Sequence, residues 1–308
     1  MKDALVGYTG FVGGNIARRH SFDGIYNSKN IEDAFGTKPD LLVYSGIRAE
    51  MFIANKFPEQ DLALIDEAIK NISLIHSKRV VLISTISVYD NVMGIDEDVA
   101  IDETKLQPYG KNRRYLEKWV MENCSDSLIV RLPALYGDGI KKNFIYDLIN
   151  FIPSMLNEAM YKELSSQDSF IASSYDLQGN GFYKCKTIDK SKLSELRTCF
   201  KRLGFSALNF TDSRSQYQFY NLTYLWDHIK ICLDNGVRIF NAATEPVIIS
   251  DLMKFITGET FVNEIKNIYP RQDYRSKYYE LFGGKNGYLV DKSFVMSDIR
   301  SFVKSQIL

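Results

Sequence analysis

Apolar residues fall along this chain in two alternating rhythms. Over the first 135 residues, short continuous apolar runs give way repeatedly to longer stretches with helical spacing. ALVGY (4–8) is the first short run, and GFVGGNIARRH (10–20) after it has helical character and ends in cations that suit a helix C-terminus. GIYN (24–27) predicts a second strand, IEDAF (31–35) a short helix, and DLLVYSG (40–46), following Pro39, a third strand. EQDLALIDEAIKNISLIHS (59–77) places apolar residues at 62, 64, 65, 68, 69, 72 and 75, one face of a helix. RVVLISTISVY (79–89) is continuous and β-branched, as expected of a strand buried on both faces. RRYLEKWVMENC (113–124), in a helical-looking stretch that begins at Pro108, predicts a helix, and SLIVRLPALYG (127–137) a further strand. Repeated strand–helix–strand units imply a parallel sheet with helical crossovers.

The rhythm loosens after about residue 140. Residues 158–190 mix Ser, Gly, Tyr and Lys, predicting a hairpin or an excursion outside the main sheet. Helical character returns in SKLSELRTCFKRL (191–203) and in NLTYLWDHIKICLDNG (221–236), the latter closed by Gly236. RIFNAA (238–243) reads as one more buried strand and ISDLMKFITG (249–258) as a helix ending at Gly258. The amphipathic tail DKSFVMSDIRSFVKSQ (291–306) is expected to cap a second lobe.

Composition narrows the function classes. Lys+Arg and Asp+Glu number 38 each, so no global charge draws the chain to nucleic acid or to an anionic membrane. The N-terminus lacks the pattern of a signal peptide, and no apolar run is long enough to span a bilayer. Cys124, Cys185, Cys199 and Cys232 form no C-x-x-C pair, so reduced thiols in the cytoplasm are expected. His20, His76 and His228 are scattered without metal-ligand spacing, and no metal is expected.

The first chemical motif is GYTGFVG (7–13). Gly7, Gly10 and Gly13 stand between a strand and a helix, with Thr9, Phe11 and Val12 among them. One glycine permits the tight turn, one lets a phosphate approach bare backbone, and one lets the helix lie close on the sheet. The helix N-terminus then presents unpaired N–H groups to a pyrophosphate, so a dinucleotide is expected here. The second strand should end near an acid that grips the adenosine ribose. Asn27, Ser28 and Lys29 stand there instead, with no acid until Glu32, which favours NADP over NAD. Lys29, Arg18 or Arg19 could meet a 2′-phosphate, or all three could be solvated surface.

Thr85 closes a buried strand, where ligands gather in open α/β sheets, and lies 24 residues before Tyr109 of PYGKNRR (108–114). Together, G-x-x-G-x-x-G, the Ser/Thr strand end followed by VY, and PYG-x-x-(cation) resemble the extended short-chain dehydrogenase/reductases. This is the NAD-dependent epimerase/dehydratase family, acting mainly on nucleotide-linked sugars. RLPALYG (131–137) and FNAATEPVIISDLMKFI (240–256) match as well, and the resemblance is strongest over about 1–140. It implies a Rossmann-type doubly wound parallel sheet with a smaller C-terminal substrate lobe. Residues 1–140 and about 216–245 would form the NAD(P)-binding domain, and 141–215 with 246–308 the substrate-binding lobe.

By the same resemblance, Tyr109 is the acid–base residue and Thr85 the hydroxyl that holds the substrate oxygen. Arg113 occupies the place of the family's lysine, which contacts the nicotinamide ribose and lowers the tyrosine pKa. A cation about 5 Å from a phenol, at an effective dielectric near ~20, favours phenolate by roughly 3 kcal/mol, or about 2 pK units. Lys111 and Lys118 are poorly placed to substitute, and arginine is larger and planar. The family's 4,6-dehydratases carry an Asp-Glu pair after the threonine. Ile86 and Ser87 stand there, so dehydration is disfavoured while epimerisation and keto-sugar reduction remain open.

Arg214, Arg271 and Arg275 are candidate diphosphate clamps, with Tyr278 and Tyr279 as stacking surfaces, against the alternative of ordinary surface packing. The expected partner is a small molecule, a sugar nucleotide, with neither nucleic acid nor membrane. The resemblance also suggests a homodimer through the helices around 61–75 and 109–123. The rival to an NAD(P)-dependent epimerase or reductase is a non-catalytic NAD(P)-binding sensor or partner-binding protein on the same fold.

Overall fold

The structure, a computed structural model, describes residues 2–265 and 267–307, the side chain of Ile307 excepted. It divides into two compact units. The first comprises residues 1–140, 216–247 and 270–298, and the second 141–215, 248–269 and 299–308.

The first unit begins with β1 (Asp3–Val6), α1 (Phe11–Arg19), β2 (Gly24–Tyr26), β3 (Leu41–Tyr44), α2 (Met51–Lys56), α3 (Pro58–Ile75), β4 (Arg79–Thr85), α4 (Pro108–Asn123), β5 (Ser127–Leu132) and β6 (Ala134–Tyr136). The second unit opens with α5 (Phe144–Ile149), β7 (Met155–Leu156), α6 (Glu158–Gln167), α7 (Ser169–Ser174), β8 (Tyr175–Leu177), β9 (Tyr183–Cys185) and α8 (Lys190–Arg202). The chain continues through β10 (Gln216–Tyr217), β11 (Phe219–Asn221), α9 (Leu225–Asp234), β12 (Ile239–Asn241), β13 (Val247–Ile248), α10 (Ile249–Thr257) and α11 (Lys292–Ile307).

A six-stranded sheet of order β12-β5-β4-β3-β1-β2 forms the heart of the first unit, and each neighbouring pair is parallel. Successive residues of its strands point to opposite faces. Leu5, Val43, Val81 and Val130 pack with Ile16 of α1 and Trp226 and Ile229 of α9. Ala4, Val6, Leu42, Val80, Leu82 and Ile129 pack with Ile65 and Ile72 of α3 and Leu116 and Val120 of α4. Both faces are covered, which is why these strands read as continuous apolar runs rather than alternating ones.

Two expected strands are shorter than their apolar runs. RVVLISTISVY leaves the sheet at Thr85, because the Thr85 hydroxyl accepts the Ser87 N–H and starts a 3₁₀ turn over Ile86–Val88. SLIVRLPALYG is broken at Pro133, which has no N–H for a ladder; β6 beyond it pairs with β11 in a separate two-stranded sheet.

In the second unit, residues 158–174 form two short helices, and β8 and β9 form a hairpin that β7 extends into a three-stranded antiparallel sheet. Leu156, Leu164, Ile171, Tyr175, Leu196 and Phe200 are its buried core. Residues 270–298, expected with the second lobe, group with the sheet instead: Asp273 and Arg275 bond through their backbones to Val92 and Ile95. The tail helix α11 accordingly starts in the first unit and ends in the second. Among the described residues no helix is long and apolar enough to cross a membrane, and none of the four cysteines is in a disulfide.

Candidate functional site

The strand order reverses at β1, whose neighbours are β3 on one side and β2 on the other. Open α/β sheets take ligands at such a switch point, outside the carboxyl ends of the strands. The Gly-rich turn lies there. Gly7 has a φ of +93°, and a Cβ on it would stand 2.6 Å from the Ser45 carbonyl oxygen at the end of β3. A Cβ on Gly13 would meet the Gly7 oxygen at 2.3 Å. Both glycines are therefore required by the fold itself. Gly10 is different: its nearest neighbour would be 3.2 Å away, and the residue is exposed. No side chain caps the N-terminus of α1 and no acid lies in its first turn. The helix end therefore keeps N–H groups and a positive dipole end facing outward, a combination that fits a pyrophosphate.

The Gly7 N–H bonds to the Tyr26 carbonyl at 2.7 Å, which brings the loop after β2 beside the Gly-rich turn. That loop folds on itself: Asn27 N–H donates to Asn30 Oδ1 and Lys29 N–H to Asn27 Oδ1, both at 2.8 Å. Ser28 and Lys29 are exposed on it. Arg18 and Arg19 lie at the far end of α1, near Asp138 at 3.8 Å and Asp227 at 3.5 Å.

Thr85, Tyr109 and Arg113 come together at the C-terminal end of β4. Tyr109 is buried in the first turn of α4, and its backbone N–H is capped by Asn55 Oδ1 of α2 at 2.9 Å. Gly110 beside it lets α4 press on the turn after β4, since a Cβ there would overlap the Ser87 carbonyl at 1.9 Å. The Thr85 hydroxyl is near enough to the phenol to pull its pKa slightly down. The Arg113 guanidinium stacks over the Tyr109 ring, 3.9 Å from its centroid.

Arg113 is not a free cation. It pairs with Asp61 of α3, the two side chains being only 5% and 6% exposed. Its other donors reach the Arg48 carbonyl at 2.8 Å and the Tyr109 carbonyl at 3.3 Å. The expected bias of Tyr109 toward phenolate is consequently not what the site produces. Burial raises the phenol pKa, Arg113 lowers it, and the Asp61 carboxylate raises it again; the net direction is upward. Burial is the largest of these effects, and together with the partner carboxylate it outweighs the cation.

Asp61 was missed: an acid in the first turn of α3 is ordinary in a sequence, although it falls on the stripe that also holds Ile65, Ala68 and Ile72. Asn55 and Asn112, which donates to Asp61 Oδ2 at 2.8 Å, carried no such signal.

The three candidate clamp arginines differ in what they touch. Arg214, in the second unit, is bound to Asp212 and Glu264, each at 2.8 Å, and stacks on Tyr269. Arg271 and Arg275, in the first unit, are exposed; Arg275 lies over the Tyr288 ring, 5.5 Å from its centroid. Tyr278 and Tyr279 are half-buried beside a 3₁₀ turn.

This is a Rossmann-type α/β protein with its candidate site at the switch point of the sheet. No family model matches the sequence, and no curated protein matches it. The fold is that of sugar-nucleotide reductases and epimerases. It is similar to a dTDP-4-dehydrorhamnose reductase from Bacillus anthracis solved with NADP, at 14% identity over 99% of each chain and a TM-score of 0.63. It is similar also to a UDP-N-acetylglucosamine 4-epimerase from Methanobrevibacter ruminantium, at 12% identity, 98% and 97% coverage and a TM-score of 0.62. The Bordetella bronchiseptica enzyme WbmG, solved with NAD and UDP, matches at 15% identity, 99% and 96% coverage and a TM-score of 0.61.

Proposed function

We propose that this chain is an NAD(P)-dependent reductase or epimerase acting on a nucleotide-linked sugar. The reading rests above all on one observation: α4, with Tyr109 in its first turn, packs on the strand end that carries Thr85, at the carboxyl edge of the same parallel sheet whose first strand carries the Gly7–Gly13 turn. Gly7, Gly10 and Gly13, with Thr9, Phe11 and Val12, would hold the pyrophosphate, and Asn27, Ser28 and Lys29 the adenosine ribose. A nicotinamide held there would supply hydride exchange with a sugar carbon. Thr85 fixes the substrate oxygen and Tyr109 moves its proton.

The raised Tyr109 pKa favours one direction. A phenol that stays protonated at neutral pH is suited to deliver a proton to the oxygen of a carbonyl under reduction, and poorly suited to remove one. Keto-sugar reduction is therefore the preferred form of the proposal, and it agrees with an adenosine loop that lacks an acid and so suits NADP. Arg113 acts in this reading as a buried brace for Tyr109, while Arg271 and Arg275 remain the candidates to meet the diphosphate. A homodimer through the outer faces of α3 and α4, where Leu62 and Tyr115 are exposed, belongs to the same reading and is checked by light scattering. The four free thiols suit a cytosolic setting.

The commitment of Arg113 to Asp61 also favours a second reading, a cofactor-binding protein without turnover. One experiment separates the two. The purified protein is titrated with NADPH and NADH and then screened with keto-sugar nucleotides. A reductase binds NADPH and oxidises it with one of them, and Tyr109→Phe abolishes the oxidation while leaving NADPH binding within twofold. Binding without oxidation selects the second reading, and no binding of either dinucleotide removes both.

A further inference from the structure

A continuous chain of buried polar side chains runs through the first unit beneath the candidate site, and the proposed chemistry does not use it. Glu117 of α4, fully buried, accepts from Arg131 of β5 through both oxygens, at 3.0 Å and 2.7 Å. The same carboxylate accepts the Ser84 hydroxyl at 2.6 Å. Arg131, 1% exposed, donates onward to the Tyr89 hydroxyl at 2.6 Å, and Tyr89 donates to Asn241 Oδ1 at 2.9 Å. Asn241 of β12 donates its N–H to Glu97 at 2.8 Å and its side-chain amide to the Arg275 carbonyl at 3.0 Å. Glu97 also accepts the Ser276 hydroxyl at 2.7 Å and the Lys277 N–H at 2.8 Å.

Both ends of this chain are informative. Tyr109, Arg113 and Glu117 are spaced by four and share one face of α4. Ser84 immediately precedes Thr85. Glu117 thus ties the face of α4 that carries Tyr109 to the strand end that carries Thr85. At the other end, Asn241 holds the Arg275 carbonyl while Glu97 holds the Ser276 hydroxyl and the Lys277 N–H, beside the candidate contacts Arg275 and Tyr278. A hydrophobic core would fill this volume at no desolvation cost. What directional bonds add is a single allowed arrangement, because a buried network tolerates no member without its partner.

We propose that Glu117, Arg131, Tyr89, Asn241 and Glu97 are positioning residues that hold the Tyr109–Thr85 pair in register with residues 273–279. The functional meaning rests on the reading of Tyr109 above; the mechanical coupling does not. Removing the Tyr89 hydroxyl cuts the link between the two halves without removing a charge or a ring.

Hydrogen exchange of the full chain, without ligand, tests the coupling. Tyr89→Phe is expected to speed exchange at least threefold both in residues 273–279 and in residues 108–114, while α1 and the second unit stay unchanged. Glu97→Gln, a cut at the far end of the same path, is expected to speed exchange in both segments too. Faster exchange confined to the segment nearest each substitution overturns the proposal, and so does a uniform rise across the first unit, which would mark general loosening. If the chain binds NADPH, Tyr89→Phe should leave that affinity within twofold and lower kcat on a keto-sugar nucleotide about tenfold, with KM changed less than threefold. An equal fall in affinity and turnover also overturns it. Absence of NADPH binding in the unmodified protein defeats the proposed function and leaves the exchange result to decide the coupling.

Discussion

Asp61→Ala isolates the change that sets this site apart from a lysine-based one. In the unmodified protein Asp61 accepts from Arg113 and from Asn112, and both members of the ion pair are almost wholly buried. Removing the carboxylate leaves a guanidinium inside the protein with only the Arg48 and Tyr109 carbonyls as acceptors. Breaking a buried pair from one side costs about 3–5 kcal/mol, because the remaining charge is desolvated without compensation. Against a net stability of roughly 5–15 kcal/mol that is a large fraction. It is read as a fall in the urea midpoint at unchanged slope. Asp61→Asn keeps an acceptor for the guanidinium and should cost less, about 1–3 kcal/mol. The double variant Asp61→Leu with Arg113→Met removes both charges and should return to within ~1–2 kcal/mol of the starting stability, since buried pairs are often replaceable by apolar side chains. A second readout follows from the same geometry. Asp61 raises the Tyr109 pKa, so Asp61→Asn should move it down, seen as tyrosinate absorbance at lower pH that disappears when Tyr109→Phe is added. The reasoning is refuted if Asp61→Ala costs less than about 1 kcal/mol, for then Arg113 has an alternative to the buried pair.

Four further outcomes are expected. Gly13→Ala should fail to fold or lose several kcal/mol, because its Cβ would sit 2.3 Å from the Gly7 oxygen. Gly10→Ala should fold normally and lose dinucleotide affinity in a fluorescence titration. Asp147 of α5 has its pKa pushed up from 3.8 to about 7 by burial alone. The folded chain therefore binds that proton more tightly than the unfolded one, so Asp147 costs stability progressively as pH rises from about 4 through about 7. Asp147→Asn should remove that slope in thermal melts taken between these pH values. Arg214→Met should destabilise the second unit by about 1–3 kcal/mol, by leaving the buried Asp212 short of a bidentate partner. A loss confined to substrate affinity, with stability unchanged, would restore Arg214 as a clamp.

How far the sequence carries can be judged from particular residues. Periodicity places β1, α1, β3, α3 and β12 because burial on one stripe or on both faces leaves a local pattern. It overruns at Thr85 and at Pro133, where one hydroxyl cap and one missing N–H end a strand inside an apolar run. The Gly-rich turn is legible for the same local reason: a φ of +93° at Gly7 is a property of that residue and its neighbours. The grouping of 270–298 with the sheet is not legible, because it depends on backbone bonds to Val92 and Ile95 from far along the chain.

Sequence alone, then, determined the alternation of strands and helices, the Gly-rich turn between β1 and α1, and the presence of a tyrosine and a cation one helical turn apart. Only the tertiary structure decided what the cation does. Its partner Asp61 stands 52 residues away on another helix, and a charge acts on whatever packing brings within a few ångströms of it. Helical spacing put Arg113 beside Tyr109; the packing of α3 on α4 paired the cation with Asp61, and burial, helped by that carboxylate, raised the Tyr109 pKa against it.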